Sequence, residues 1–290
     1  MGSAIHKKLL FFGYKNIIIA DRKKLDLKNQ SKVNLFIKKN KPELVIIAAG
    51  KVGGIMANST YPGEFIYDNL MIACNLINSS FKNNIKNLIF LGSSCIYPSN
   101  IKRKILEKDL LKSYLEKTNE AYAIAKIAGV KLCEFYNKQY KLNYLTLMPT
   151  NIYGPDDNYD LEGSHFIPAL IKKIHLAKIN NKKSITLWGN GKSRREILYV
   201  DDLARAVVFS IENPLSDSLY NIGSLMEVSI RELAELISKI VGYDGRIKWD
   251  QTKTDGTPRK LMDSSKINLA GWKVKINLKK GIESLYRNQF

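Results

Sequence analysis

Short, nearly unbroken apolar runs alternate along this chain with longer stretches whose apolar residues recur every three or four positions. The runs at 16–20, 43–49, 87–91 and 144–148 are rich in Ile, Leu and Val. They read as strands buried on both faces, since a strand covered on one face would alternate apolar with polar. Between them, 31–40, 64–83 and 120–141 carry helical periodicity, and Thr118 and Asn119 stand where the last of these needs an N-cap. The alternation predicts an α/β fold, a Rossmann-like doubly wound parallel sheet. After Pro149 the pattern loosens into Gly, Asp and Asn, with a strand expected at 184–188. A later helix should begin near Ser229, where Ser229 and Glu232 have the spacing of a capping box. The expected organisation is a dinucleotide-binding domain over 1–150 and a mainly substrate-binding lobe over 151–290, partly interleaved with the first.

The front of the chain departs from this pattern. Residues 2–14 read as the first helix of a βαβ unit, with no strand ahead of them. A dinucleotide site needs that strand and a Gly-rich turn, so that the pyrophosphate meets the helix N-terminus. Only Gly2 stands where the turn would end. The first strand of such a sheet lies in its middle, so its absence is expected to leave a gap between two neighbours. The chain as given is therefore expected to be catalytically inactive, through weak cofactor binding and lost stability.

Composition narrows the class. At 290 residues, 45% hydrophobic and 25% charged, the chain can bury a full core. It has no apolar run long enough to span a membrane and no signal-peptide layout at its start. Three cysteines without a C-x-x-C pair argue against a disulfide framework or a zinc site, so no metal is expected and a reducing cytoplasm is the natural setting. The net charge is 46 − 27 = +19, but the lysines are spread along the whole chain. No basic block is interleaved with aromatics, so neither nucleic acid nor membrane is the expected partner. A basic surface also suits an anionic pyrophosphate.

Candidate chemistry begins with Tyr122-Ala-Ile-Ala-Lys126. Positions i and i+4 share a helix face, so a phenol and an ammonium can converge on one oxygen, with Lys126 expected to lower the Tyr122 pKa. Alone this spacing is a weak signal and fits a solvated helix face better. It gains from Gly92-Ser93-Ser94-Cys95, which follows a buried strand at the end where α/β sheets bind ligands. Cys95 reads by itself as a packing cysteine and His165 as structural, yet together they offer a thiol and an imidazole that could move protons at carbon. Gly50-Lys51-Val52-Gly53-Gly54 lacks the Walker pattern and reads as a tight turn approaching a ligand. Asp21 favours a free ribose 2′-hydroxyl and Arg22 a 2′-phosphate. The adjoining Lys23 and Lys24 tilt the reading to NADP.

With these residues in place, the chain resembles the GDP-L-fucose synthase family of extended short-chain dehydrogenase/reductases. The resemblance is carried by Lys51-Val-Gly-Gly-Ile, Phe90-Leu-Gly-Ser-Ser-Cys-Ile-Tyr-Pro, Glu120-Ala-Tyr-Ala-Ile-Ala-Lys-Ile-Ala-Gly, Met148-Pro-Thr-Asn-Ile-Tyr-Gly-Pro and Asp255-Gly-Thr-Pro-Arg-Lys. It runs from Gly2 almost to the end of the chain. It implies a reductase triad of Ser93, Tyr122 and Lys126, with Cys95 and His165 as the epimerising acid and base. It implies NADP(H) contacts from Gly2, Arg22, Lys126, Pro149, Thr150, Asn151, Ile152 and His165. It places a GDP-sugar on Lys173, Trp188, Arg195 and Asp255. The implied reaction is 3,5-epimerisation of GDP-4-keto-6-deoxy-D-mannose followed by NADPH reduction at C4. A homodimer paired through the helices at 64–83 and 120–141 is expected. The alternatives are another nucleotide-4-keto-sugar enzyme of the same superfamily, or a non-catalytic homologue that acts as a binding protein.

Overall fold

The computed structural model describes residues 1–290 except 161–164 and 253–256. The chain begins with helices α1 (Gly2–Phe11) and α2 (Gln30–Asn40), then strand β1 (Leu44–Ile47). Helices α3 (Ile55–Thr60) and α4 (Pro62–Lys82) lead to β2 (Asn87–Leu91), and the long α5 (Glu120–Tyr140) to β3 (Asn143–Pro149) and β4 (Asn151–Tyr153). Helix α6 (Phe166–Ile179), strands β5 (Ser184–Trp188) and β6 (Arg194–Tyr199) and helix α7 (Val200–Glu212) follow. Strands β7 (Leu219–Ile222) and β8 (Glu227–Ser229), helix α8 (Ile230–Val241) and strand β9 (Arg246–Asp250) come next. The chain ends through β10 (Arg259–Lys260), α9 (Ser265–Leu269) and α10 (Leu278–Gln289).

The main sheet is parallel, in the order β1-β2-β3-β7. Successive residues of β2 point into two different cores, which is why its sequence does not alternate. Leu88 and Phe90 pack with Val33 and Ile37 of α2, Ile77 of α4 and Val130 of α5. Ile89 and Leu91 pack on the opposite face with Ile5 and Leu9 of α1 and Leu203 and Val207 of α7. Each fully buried side chain of this kind stabilises the fold by about 2 kcal/mol. A third core joins α6, α8 and α10 through Ile171, Ile174, Leu233, Ile237, Ile282 and Leu285. Strand β6 lies between β10 and β4, and also pairs antiparallel with β8.

The capping box forms as its spacing requires. Ser229 Oγ accepts from the Glu232 N–H at 3.1 Å, and the Glu232 carboxylate accepts from the Ser229 N–H at 2.7 Å. The strands expected at 43–49, 87–91, 144–148 and 184–188 and the three internal helices are all present, within a few residues at their ends.

Two local expectations are corrected. Residues 16–20 belong to no sheet, and β1 is an edge strand. A strand is held by its ladder, and among the described residues this run has none; Ile18 and Ile19 are 51% and 56% exposed. The N-cap of α5 is also different. Asn119 occupies the position without making the capping bond, and its Oδ1 is buried with no partner among the described residues, while the Thr118 hydroxyl turns to Glu116 Oε1 at 3.3 Å.

Candidate active site

Ser93 follows β2 at the C-terminal end of the sheet, and a short 3₁₀ turn, Ser94–Ile96, begins at once. The backbone there is extended, and Ser93 Oγ accepts from the Cys95 N–H at 3.1 Å. That bond fixes the serine hydroxyl between the strand end and the first turn of α5, near enough to the Tyr122 hydroxyl to oppose the rise in its pKa. Cys95, half-buried, lies close enough to Tyr122 for their charges to interact. The glycine before them is sterically required: a Cβ on Gly92 would lie 2.3 Å from Met148 Sδ.

Lys126, one turn beyond Tyr122, is buried. Its ammonium donates to the Leu91 carbonyl at 2.9 Å and lies 4.8 Å from the centre of the Phe90 ring. Burial brings its pKa down to about 8. The Tyr122 phenol is pushed up instead, first by burial and then by the Cys95 charge, against the opposing bond from Ser93. The expected lowering of Tyr122 by Lys126 is therefore not what this arrangement produces. The ammonium is drawn to the strand-end carbonyl and lies 6.0 Å from the Tyr122 ring centre, so desolvation dominates the phenol.

Asn69 was not singled out in the sequence, though a polar residue within the apolar stripe of a helix is a signal. It is buried in α4, where its amide donates to the carbonyls of Lys51 and Phe65 at 2.9 and 2.8 Å and its Oδ1 accepts from the Lys51 N–H at 3.0 Å. A Cβ on Gly50 would lie 2.9 Å from Asn69 Oδ1 and 3.7 Å from Lys126 Nζ. Glycine at 50 thus lets the loop after β1 close onto both side chains.

The residues assigned to cofactor lie around this centre. Gly2 opens α1 against Ala48, and Arg22 is exposed in the turn after the unpaired 16–20 run. Asp21 Oδ1 accepts from the N–H groups of Lys23 and Lys24, both at 2.9 Å, so this carboxylate holds the turn together while Arg22, Lys23 and Lys24 stay exposed. Pro149 ends β3, and Ile152 lies in β4. Thr150 Oγ1 and Asn151 Nδ2 both donate to the Glu196 carbonyl, at 3.1 and 2.8 Å. These bonds tie the end of the main sheet to β6.

His165 is exposed at the N-cap of α6 and, among the described residues, bonds to none of Ser93, Cys95, Tyr122 or Lys126. Lys173 donates to the Thr186 carbonyl at 2.6 Å, beside the exposed Trp188 at the end of β5. Burial and the neighbouring Lys182 lower its pKa. Arg195, half-buried in β6, donates from one nitrogen to the carbonyls of Arg194 and Thr257. Asp255 lies outside the described residues.

Residues 1–223 match the NAD dependent epimerase/dehydratase family. The chain is 49% identical to GDP-L-fucose synthase 1 of Arabidopsis thaliana over 286 residues, covering 99% of this chain and 88% of that protein. It is 44% identical to the GDP-L-fucose synthase of Escherichia coli K12 over 297 residues, covering 99% and 92%. Among solved structures, it superposes with a TM-score of 0.89 on a GDP-D-glycero-L-gluco-heptose synthase from Campylobacter jejuni in the presence of NADPH. The two are 38% identical over 99% of this chain and 93% of the other.

Proposed function

We infer the chemistry of this site from the premise that the chain belongs to the NAD dependent epimerase/dehydratase family and, within it, to the GDP-L-fucose synthases. The substrate is GDP-4-keto-6-deoxy-D-mannose and the product GDP-L-fucose. The observation that carries this reading is the cluster of Ser93, Cys95 and Tyr122 hydroxyl and thiol groups at the C-terminal end of β2, with Lys126 buried beside it. A plain reductase needs only the hydroxyls and the lysine. The thiol adds a second proton-moving group, as epimerisation at carbon demands.

Both C3 and C5 flank the C4 carbonyl, so polarising one oxygen acidifies both C–H bonds. Ser93 and Tyr122 face that oxygen and stabilise the negative charge that develops on it. Cys95 and His165 exchange protons at C3 and C5 from opposite sides, which inverts each centre. NADPH supplies the hydride for C4. Tyr122, whose phenol is held protonated by burial, then delivers its proton to the oxygen and leaves a C4 hydroxyl.

The residues fit a 2′-phosphorylated dinucleotide. With the Asp21 carboxylate spent on its own turn, the exposed face offered there is Arg22, Lys23 and Lys24. Gly2, Pro149, Thr150, Asn151 and Ile152 would contribute backbone and side-chain contacts to NADP, and the Lys126 ammonium would donate to its ribose hydroxyls. Lys173, Trp188, Arg195 and Asp255 hold the GDP-sugar, and residues 151–290 act mainly as the substrate lobe.

We further propose a homodimer. Tyr67, Met71 and Cys74 of α4 and Ile124, Ala128 and Phe135 of α5 form outward stripes at helical spacing, with Tyr67, Ile124 and Phe135 exposed. Helices α4 and α5 pack side by side, so two copies related by a two-fold axis bury both stripes in one interface. A cytoplasmic setting agrees with three unpaired cysteines. No described helix is long and apolar enough to cross a membrane.

The direct test supplies GDP-4-keto-6-deoxy-D-mannose and NADPH and identifies the sugar formed. GDP-L-fucose, with Tyr122→Phe blocking reduction, would support this reading and overturn the expectation of an inactive chain; no turnover would uphold that expectation. Turnover of a GDP-4-keto-heptose alone would favour the heptose reading suggested by the Campylobacter structure.

A further inference from the structure

Glu116 and Thr257 are 141 positions apart, yet the threonine hydroxyl donates to Glu116 Oε2 at 3.3 Å. Each end of this contact is tied to one half of the proposed site. Glu116 precedes α5 and governs its entry: Asn119 N–H donates to the Glu116 carbonyl at 3.1 Å, and the Thr118 hydroxyl to its Oε1 at 3.3 Å. Tyr122 follows in the first turn of that helix. At the other end, the carbonyl of Thr257 accepts from the Arg195 guanidinium at 2.6 Å. The chain just beyond runs beside β6, with the Arg194 N–H donating to the Pro258 carbonyl at 2.9 Å and Lys260 in register with Arg195.

We propose that Glu116 is a positioning residue for the diphosphate of the nucleotide sugar, acting through Thr257 to aim the Arg195 guanidinium. The argument rests on the reading of Arg195 as a nucleotide-sugar ligand and deepens it. A guanidinium delivers its donors in a fixed plane, so its value to a diphosphate depends on the orientation of that plane. Here two backbone carbonyls, one of them on Thr257, are among the acceptors that hold it. Residue 257 is placed by the hydroxyl bond to Glu116 on one side and by the ladder to β6 on the other. Removing the carboxylate takes away the bond that the Thr257 hydroxyl makes, and the carbonyl that Arg195 donates to can swing. The same carboxylate sits six residues before Tyr122, so the catalytic helix and the diphosphate ligand share one anchor.

Calorimetric titration of GDP and of NADP⁺ tests this without requiring turnover. Glu116→Ala should weaken GDP by about tenfold, with NADP⁺ affinity and melting temperature unchanged. Glu116→Gln keeps an oxygen that accepts from Thr257 and should bind GDP as the parent does. For GDP, Thr257→Val, which spares the bond from Thr118, should match Glu116→Ala, and the double variant should be no weaker than either, since the contact between Glu116 and Thr257 is the one that both lose. Unaltered GDP binding in Glu116→Ala, while Arg195→Ala binds GDP weakly, would overturn the positioning role alone. So would parallel losses of GDP, NADP⁺ and melting temperature in Glu116→Ala, the mark of a structural role. If Arg195→Ala binds GDP as tightly as the parent, the assignment of Arg195 fails and the proposal falls with it.

Discussion

The ammonium of Lys126 lies 2.9 Å from the carbonyl oxygen of Leu91, at the end of the strand that delivers Ser93 to the site. Its charge is thus anchored on the sheet and not on the phenol one helical turn away. Because burial lowers this pKa to about 8 from 10.5, the folded protein sheds the proton before the unfolded chain does. Between those values the unfolded state binds more protons, so stability rises with pH across the window.

The same shift sets a functional limit. Below its pKa the Lys126 ammonium has three N–H donors, enough for the Leu91 carbonyl and the cofactor ribose hydroxyls together; above it a donor and the charge go, and that hold weakens. NADPH-dependent reduction should therefore decline with an apparent pKa of about 8. In Lys126→Arg the absolute rate should be lower, but the decline should move above pH ~11, because a guanidinium stays charged. Profiles of kcat/KM against pH compare the two. A decline that stays in place in the arginine variant would belong to another group.

Cys95 should serve epimerisation and not reduction. It reaches Tyr122 electrostatically, but the hydroxyl bond to the phenol comes from Ser93. Cys95→Ser should therefore suppress solvent deuterium uptake at C3 and C5 of the keto-sugar by about 100-fold or more, the usual worth of a positioned acid–base group. Mass spectrometry of the recovered sugar reads this directly. Uptake at the parental rate would remove Cys95 from the proton path.

The run at 16–20 predicts an uneven stability. It has no ladder among the described residues, and Ile18 and Ile19 are 51% and 56% exposed, whereas β2 is bonded on both sides. Amides outside a ladder open without cooperative unfolding, so 16–20 should exchange hydrogen far faster than β2. Comparable protection of the two segments, read by exchange mass spectrometry, would contradict the arrangement.

Most of the architecture could be read from apolar spacing, because β2 and β3 are buried on both faces and the helices between them on one. The run at 16–20 has the same composition, but pairing is a property of two segments and cannot be read from one. At the site, Tyr122 and Lys126 were visible through their spacing and Ser93 and Cys95 through their strand. The direction of the Lys126 ammonium was not, since it depends on a carbonyl 35 positions away. The contact of Glu116 with Thr257 was hidden for the same reason: each is an ordinary polar residue until the fold brings them together. Asn119 takes the N-cap position that its place in the sequence offers, but whether the capping bond forms is not legible there, and neither is the turn of the Thr118 hydroxyl to Glu116.

The last prediction concerns Glu196, a fully buried carboxylate in β6 beside Arg195. Its Oε1 accepts from the Leu225 N–H at 2.7 Å and its Oε2 from the Met262 N–H at 3.0 Å, so both oxygens act as acceptors toward fixed backbone donors. Gly223 leaves room for the group: a Cβ there would lie 2.3 Å from Oε1. Glutamine has the same shape but replaces one acceptor with an amide donor, which must then face an N–H. Glu196→Gln should lose about 2–3 kcal/mol of stability, the cost of buried polar groups left unpaired, even though it removes a buried charge. The pH dependence runs the other way. Burial raises this pKa despite the bonds from Met262 and Leu225, so the folded state keeps its proton when the unfolded chain has lost it. Stability of the parent should therefore fall as pH rises from ~4 through the raised value. The glutamine variant should lack that slope while remaining less stable throughout. Denaturant melts of both proteins across this range measure the two effects together. A variant as stable as the parent above the raised pKa would mean that the carboxylate's acceptor role contributes little, and that its charge is what the fold tolerates at a cost.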